Sequence, residues 1–117
     1  MTAVPTPPFR PALCVMVVQA DEPLADLVKT IFTPLPLLRV GHPSAAFERM
    51  LITHPVCVVL ARRPPPDLLE RVTDGAVSVG AELIIADDFD DHTQLRERLA
   101  MALVAARRRR RRTGAAS

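Results

Sequence analysis

The chain has no tryptophan and no tyrosine, and only four phenylalanines among its 117 residues. A protein so poor in aromatics offers almost nothing on which nucleic-acid bases could stack. Its four glycines, Gly41, Gly75, Gly80 and Gly114, are too scattered to form a loop that cradles phosphate. The two cysteines, Cys14 and Cys57, each sit inside an apolar run, and their spacing matches no metal motif. Thiols in that setting pack as small hydrophobes. No apolar run approaches the roughly 20 residues that span a bilayer. The first eleven residues also lack the basic opening and apolar centre of a secretory signal. A cytoplasmic location is therefore the expectation. His42, His54 and His92 fall in three separate settings with no ligand spacing, so neither a metal nor another cofactor is expected. Ser44, Ser78 and Ser117 lie in no nucleophile context.

Aliphatic residues dominate what remains. Hydrophobic residues make up 49% of the chain, ample for one core, and the length suits a single domain. Residues 1–11 contain Pro5, Pro7, Pro8 and Pro11, which make helix or central strand improbable there. They read as a proline-rich arm. Residues 12–18 form a continuous apolar run of the kind buried on both faces of a sheet. Asp21, Glu22 and Pro23 then open a helix, because acids and proline favour its first turn. Leu24, Leu27, Val28 and Ile31 supply its apolar stripe. Pro34 and Pro36 end it, and residues 37–40 form a second strand.

The alternation continues. Ser44 is a candidate N-cap for a helix whose stripe is Phe47, Met50 and Leu51, closed at His54 and Pro55. Residues 56–60 form a third strand. Pro66 and Asp67 start a helix that runs to about Val72 and stops near Gly75. Residues 81–86 form a fourth strand. Asp91 with Gln94 reads as a capping box for a last helix carrying Leu95, Leu99, Ala102, Leu103 and Ala106. Strands alternating with helices in this way imply an α/β fold, a small doubly wound and mostly parallel sheet with helices on both faces.

The opening VVQADEPLADLVKTIF and the closing GAELIIADDFDDHTQLRERLAMALVAARRR resemble the receiver domains of two-component response regulators. The resemblance covers most of residues 12–110 and implies a receiver or flavodoxin-like fold. Between the third and final strands, however, only residues 66–80 are available. Either one strand–helix unit is missing, leaving four strands, or residues 76–79 (AVSV) are a vestigial fifth.

In that family phosphotransfer rests on a few positions, and each departs here. Gln19 and Ala20 stand where the resemblance implies a magnesium-binding acidic pair. Ala61 stands where it implies the phosphate-accepting aspartate, and Asp87 where it implies a lysine. Without the nucleophile no acyl phosphate can form. The expectation is a degenerate, pseudo-receiver domain over residues 12–106, not an enzyme. It would regulate by binding another protein.

The net charge of +2 conceals a split. Arg107, Arg108, Arg109, Arg110, Arg111 and Arg112 form one block, and outside it nine basic residues face thirteen acidic ones, a net of −4. Such a block is either solvated or binds acidic or phosphate-rich partners through charge. Three exposed features are thus candidate partner sites: Arg62 with Arg63, the acidic turn of Asp87, Asp88, Asp90 and Asp91, and the arginine-rich tail at 107–117. The acidic turn could instead be simple helix capping. The alternative function is accessory nucleic-acid binding through the arginine block. A homodimer through a free strand edge is left open.

Overall fold

A computed structural model describes residues 13–116, with side chains through Arg109. The proline-rich arm at 1–11 and the start of the expected first strand lie outside the described residues. Four strands and four helices alternate along the rest: β1 (Val15–Val18), α1 (Glu22–Phe32), β2 (Leu37–Val40), α2 (Pro43–Thr53), β3 (Cys57–Leu60), α3 (Pro66–Val79), β4 (Glu82–Ile85) and α4 (His92–Ala116). A single 3-10 turn, Ala86–Asp88, joins β4 to α4. All strand pairs are parallel, in the order β2-β1-β3-β4.

Each strand alternates its side chains between two faces, and both faces are covered. Val15, Val17, Cys57, Val59 and Ile84 pack under α1 and α4, against Leu24, Val28, Phe32, Leu95 and Leu99. Met16, Val18, Val58 and Leu60 pack on the other side under α2 and α3, against Ala46, Met50, Val72 and Ala76. That is the doubly wound, flavodoxin-like arrangement. It explains why β1 and β3, buried along their whole length, read as unbroken apolar runs. Phe32 is the largest fully enclosed side chain; truncation to alanine would cost about 3–5 kcal/mol.

Local chemistry sets the helix ends. The Asp21 carboxylate accepts from the Leu24 amide at 3.0 Å and so caps α1, with Pro23 in its first turn. Two expectations need correction at α2: Leu51, read as part of its apolar stripe, is exposed, and Ser44 is not its cap. Its N-cap is His42, whose Nδ1 accepts from the Ser44 amide at 3.1 Å, and Ser44 lies inside the helix after Pro43. His54 does close α2, in the left-handed region at φ 48°, donating its amide to the Met50 carbonyl.

Helix α3 also differs from expectation. It does not stop near Gly75 but continues to Val79, so residues 76–79 are helical and no fifth strand exists among the described residues. Gly75 is there because α3 lies close on α2: a Cβ at this position would sit 3.0 Å from Met50 Cε and 3.0 Å from Phe47 Cδ1. The true stop is Gly80, at φ 71°, where its amide closes the last turn onto Ala76 and Val77.

Candidate functional site

In an open parallel sheet a crevice forms outside the carboxyl ends of two strands whose connections leave in opposite directions. Here that point lies between β1 and β3, because α1 leads from β1 to the sheet edge on one side and α3 leads from β3 to the other. A crevice of about 470 Å³ occupies it. Gln19 enters it directly after β1, Ala61 and Arg62 directly after β3, and Asp87 just after β4.

The backbone holds these residues in place. Gln19 adopts a left-handed conformation, φ 57°, and donates its amide to the Val40 carbonyl at 2.8 Å. A non-glycine residue there is uncommon, and it turns the chain sharply toward the Asp21 cap. The Ala61 amide donates to the Val18 carbonyl at 3.0 Å, which extends the β1–β3 ladder to the crevice floor. Arg39 on β2 clamps the neighbouring loop, bonding Glu22 Oε1 at 2.7 Å and the Ala20 carbonyl at 3.0 Å. Ala20 therefore stands behind the crevice rather than in its lining.

Three carboxylates, Asp21, Asp87 and Asp91, line the space with Arg62 and His92. Two of them are engaged in the backbone: Asp21 caps α1, and Asp91 Oδ1 accepts from the Thr93 amide at 2.8 Å at the start of α4. Gln94 adds no reciprocal bond among the described residues, so the expected capping box is a single cap. Asp88 pairs with Arg63 at 2.6 Å, both half-exposed, which latches the loop after β3 to the turn after β4. Two of the four acids of that turn, Asp88 and Asp91, are thus accounted for by pairing and capping. Among the described residues no hydroxyl or thiol lines the crevice. Its chemistry is that of charge and hydrogen bonding around an alanine methyl.

Searches of protein-family models, of curated proteins and of solved structures return no match to this chain.

The structure separates candidates that the sequence could not rank. Gln19, Ala61, Arg62 and Asp87 converge on the crevice. The arginine block does not. Helix α4 starts at the crevice with His92 and runs back along the sheet, so Arg109 lies about 25 Å further along it. There the Arg109 guanidinium donates to the Gly80 carbonyl and to Glu82 Oε2, at the amino end of β4. α4 continues without a break through the block to Ala116. The carboxyl-edge crevice and the arginines occupy opposite poles of the molecule.

The remaining candidates, His42, His54, Cys14 and Cys57, lie outside the crevice lining. No group of three metal-ligating side chains occurs among the described residues. His42 and His54 sit at opposite ends of α2. Cys14 and Cys57 are buried free thiols, and burial pushes both pKa values up, that of Cys57 to about 12. No described helix is long and apolar enough to cross a membrane. Sequence reasoning missed the role of Glu82. The signal was present: it is the one charged residue in the run 81–86, and a charge inside a strand calls for a partner.

Proposed function

We propose that this chain is a non-catalytic, receiver-like module, a pseudo-receiver, that regulates by binding another protein and is not phosphorylated on aspartate. The observation that carries the reading is the crevice itself. It gathers Gln19, Ala61 and Asp87 at the carboxyl edge, where phosphotransfer would need an acid, an aspartate nucleophile and a lysine. Four parallel strands, one strand–helix unit fewer than the resemblance implies, still form the carboxyl-edge crevice, and in this reading the groups are replaced by an amide, a methyl and an opposite charge. Arg62, with the latch between Arg63 and Asp88, gives a partner a charged rim beside the crevice. The module works in the cytoplasm in this reading, which suits its two free thiols.

The test is exposure of the full chain to a small-molecule phosphodonor, together with capture of partners by the wild type and by Arg62→Glu/Asp87→Lys. We expect no acid-labile phosphate, and a protein partner that the double variant loses. Stoichiometric acid-labile phosphate would overturn the reading. A second reading, nucleic-acid binding through residues 107–112, is favoured by one observation: α4 carries the block outward with Arg107 and Arg108 exposed. Its test is a version ending at Ala106, which should lose all nucleic-acid affinity; retained affinity would sink it.

A further inference from the structure

We propose that the outward face of α4 pairs antiparallel with the same face of a second copy of this chain, giving a two-fold dimer. The inference concerns the pole away from the crevice and stands independently of what the crevice binds.

The buried side of α4 is Leu95, Leu99 and Ala102. On its opposite side Met101 is 67% exposed and Val104 46% exposed. With Ala105 they border a shallow groove of about 500 Å³ beside the edge strand β4. Two large apolar side chains one turn apart on a solvent-facing helix side leave a stripe that the monomer does not use.

The charges around this stripe identify its cover. Glu97 precedes Met101 by four residues, and Arg108 follows Val104 by four. At a helical period both charges fall on the same side as the two apolar residues. Neither is held in an ion pair among the described residues. The stripe therefore reads acid, apolar, apolar, base at spacings of four, three and four, and that symmetric pattern is complementary to itself when reversed. In an antiparallel pair centred between Met101 and Val104, Met101 meets the partner's Val104. Glu97 meets the partner's Arg108, and the two-fold axis repeats both contacts. A parallel pair would set Glu97 against its own copy and Arg108 likewise.

The rest of the helix follows the same polarity. Acids gather at and before its start, with Asp87, Asp88, Asp90 and Asp91, while the arginine block gathers toward its end. In that register residues 107–112 lie across from the partner's residues 93–98, whose one acid is Glu97, and the far end of the block points toward the turn that holds Asp90 and Asp91. A general acidic protein would satisfy Arg108 but leave Glu97 facing like charge. A nucleic acid would find Glu97 repulsive and the apolar pair useless. A second copy, reversed, meets all four positions.

The experiment is sedimentation equilibrium on the nuclease-treated full chain, from low to high micromolar concentration, in low and high salt. We expect twice the 12.8 kDa chain mass at low salt, weakening as salt rises. Met101→Glu should weaken association by about a hundredfold, two tenfold steps for the two symmetric contacts. Glu97→Arg and Arg108→Glu should each weaken it by about tenfold, and the double swap should restore it. Circular dichroism controls for folding, which these exposed positions should leave unchanged. A chain that stays monomeric throughout would overturn the proposal. So would a dimer indifferent to Met101→Glu, a double swap that fails to restore association, or association that nuclease abolishes.

Discussion

Arg109 Nη2 lies 2.6 Å from Glu82 Oε2, and this contact ties the arginine-rich end of α4 to the start of the edge strand β4. Arg98 approaches the other carboxylate oxygen at 3.9 Å, so two turns of helix converge on one strand residue. The Glu82 side chain is only 24% exposed, and it would be costly inside the sheet layer without those guanidinium groups. One arginine of the block is thus structural, whatever its neighbours do.

Arg109→Ala is expected to lower the unfolding free energy by about 1 kcal/mol, the modest figure proper to a partly exposed pair. Glu82→Ala should cost at least as much, because it removes the carboxylate that both Arg98 and Arg109 approach. Urea titration of the two single variants and the double variant measures this. Additive losses in the double variant would show that the two residues do not interact.

Gly75→Ala sets helix propensity against space. Alanine gains about 1 kcal/mol in a helix interior. Its Cβ, however, would meet both Met50 and Phe47 at 3.0 Å, and Met50 is fully buried. Crowding in a packed interface costs about 1–3 kcal/mol, so a net loss of about 1 kcal/mol is expected. A thermal melt above that of the wild type would show that the helices separate at little cost.

That glycine marks where sequence reasoning ran short. Buried parallel strands read as apolar runs, and acids with proline marked the starts of α1 and α3, so the alternation was legible. Gly75 reads as a helix stop in isolation, yet its role is close approach between α2 and α3, a tertiary fact with no local signature. His42 as N-cap was hidden for a similar reason, since its ring nitrogen does the work usually given to Ser44. The convergence of Gln19, Ala61 and Asp87 followed from strand order. The remoteness of the arginines followed only from the direction of α4.

Cys57 should give the protein a measurable alkaline weakness. Burial holds its thiol neutral, raising its pKa from the ordinary 9.0 to about 12. The folded value lies above the unfolded one, so the contribution is fully present below pH 9 and is lost as pH rises toward 12. Across that window stability should fall by about 1.4 kcal/mol per pH unit from this group. Cys57→Ala should be less stable at pH 7 but flatter between pH 9 and the alkaline limit. Equal slopes for the two proteins would mean that Cys57 ionises within the fold.

Ala61→Asp tests the proposed reading of the crevice as an emptied phosphotransfer site. The new carboxylate would join Asp21, Asp87 and Asp91 around one space, with Arg62 as the adjacent cation. Like charge and partial burial both raise a carboxylate pKa. Its folded value should then exceed the unfolded one of about 3.9, which leaves the variant close to wild type in acid and increasingly less stable as pH rises. A deficit of about 1 kcal/mol at neutral pH is the expected size for a pKa raised by about one unit. The difference between the two proteins' urea midpoints, followed from acid to neutral pH, should therefore widen. On the proposed reading the same variant should take up no acid-labile phosphate from a small-molecule donor, because Asp87 would present a negative charge where the transferred group needs a positive one. Phosphate uptake by Ala61→Asp would show that one methyl alone separates this crevice from a working phosphotransfer site.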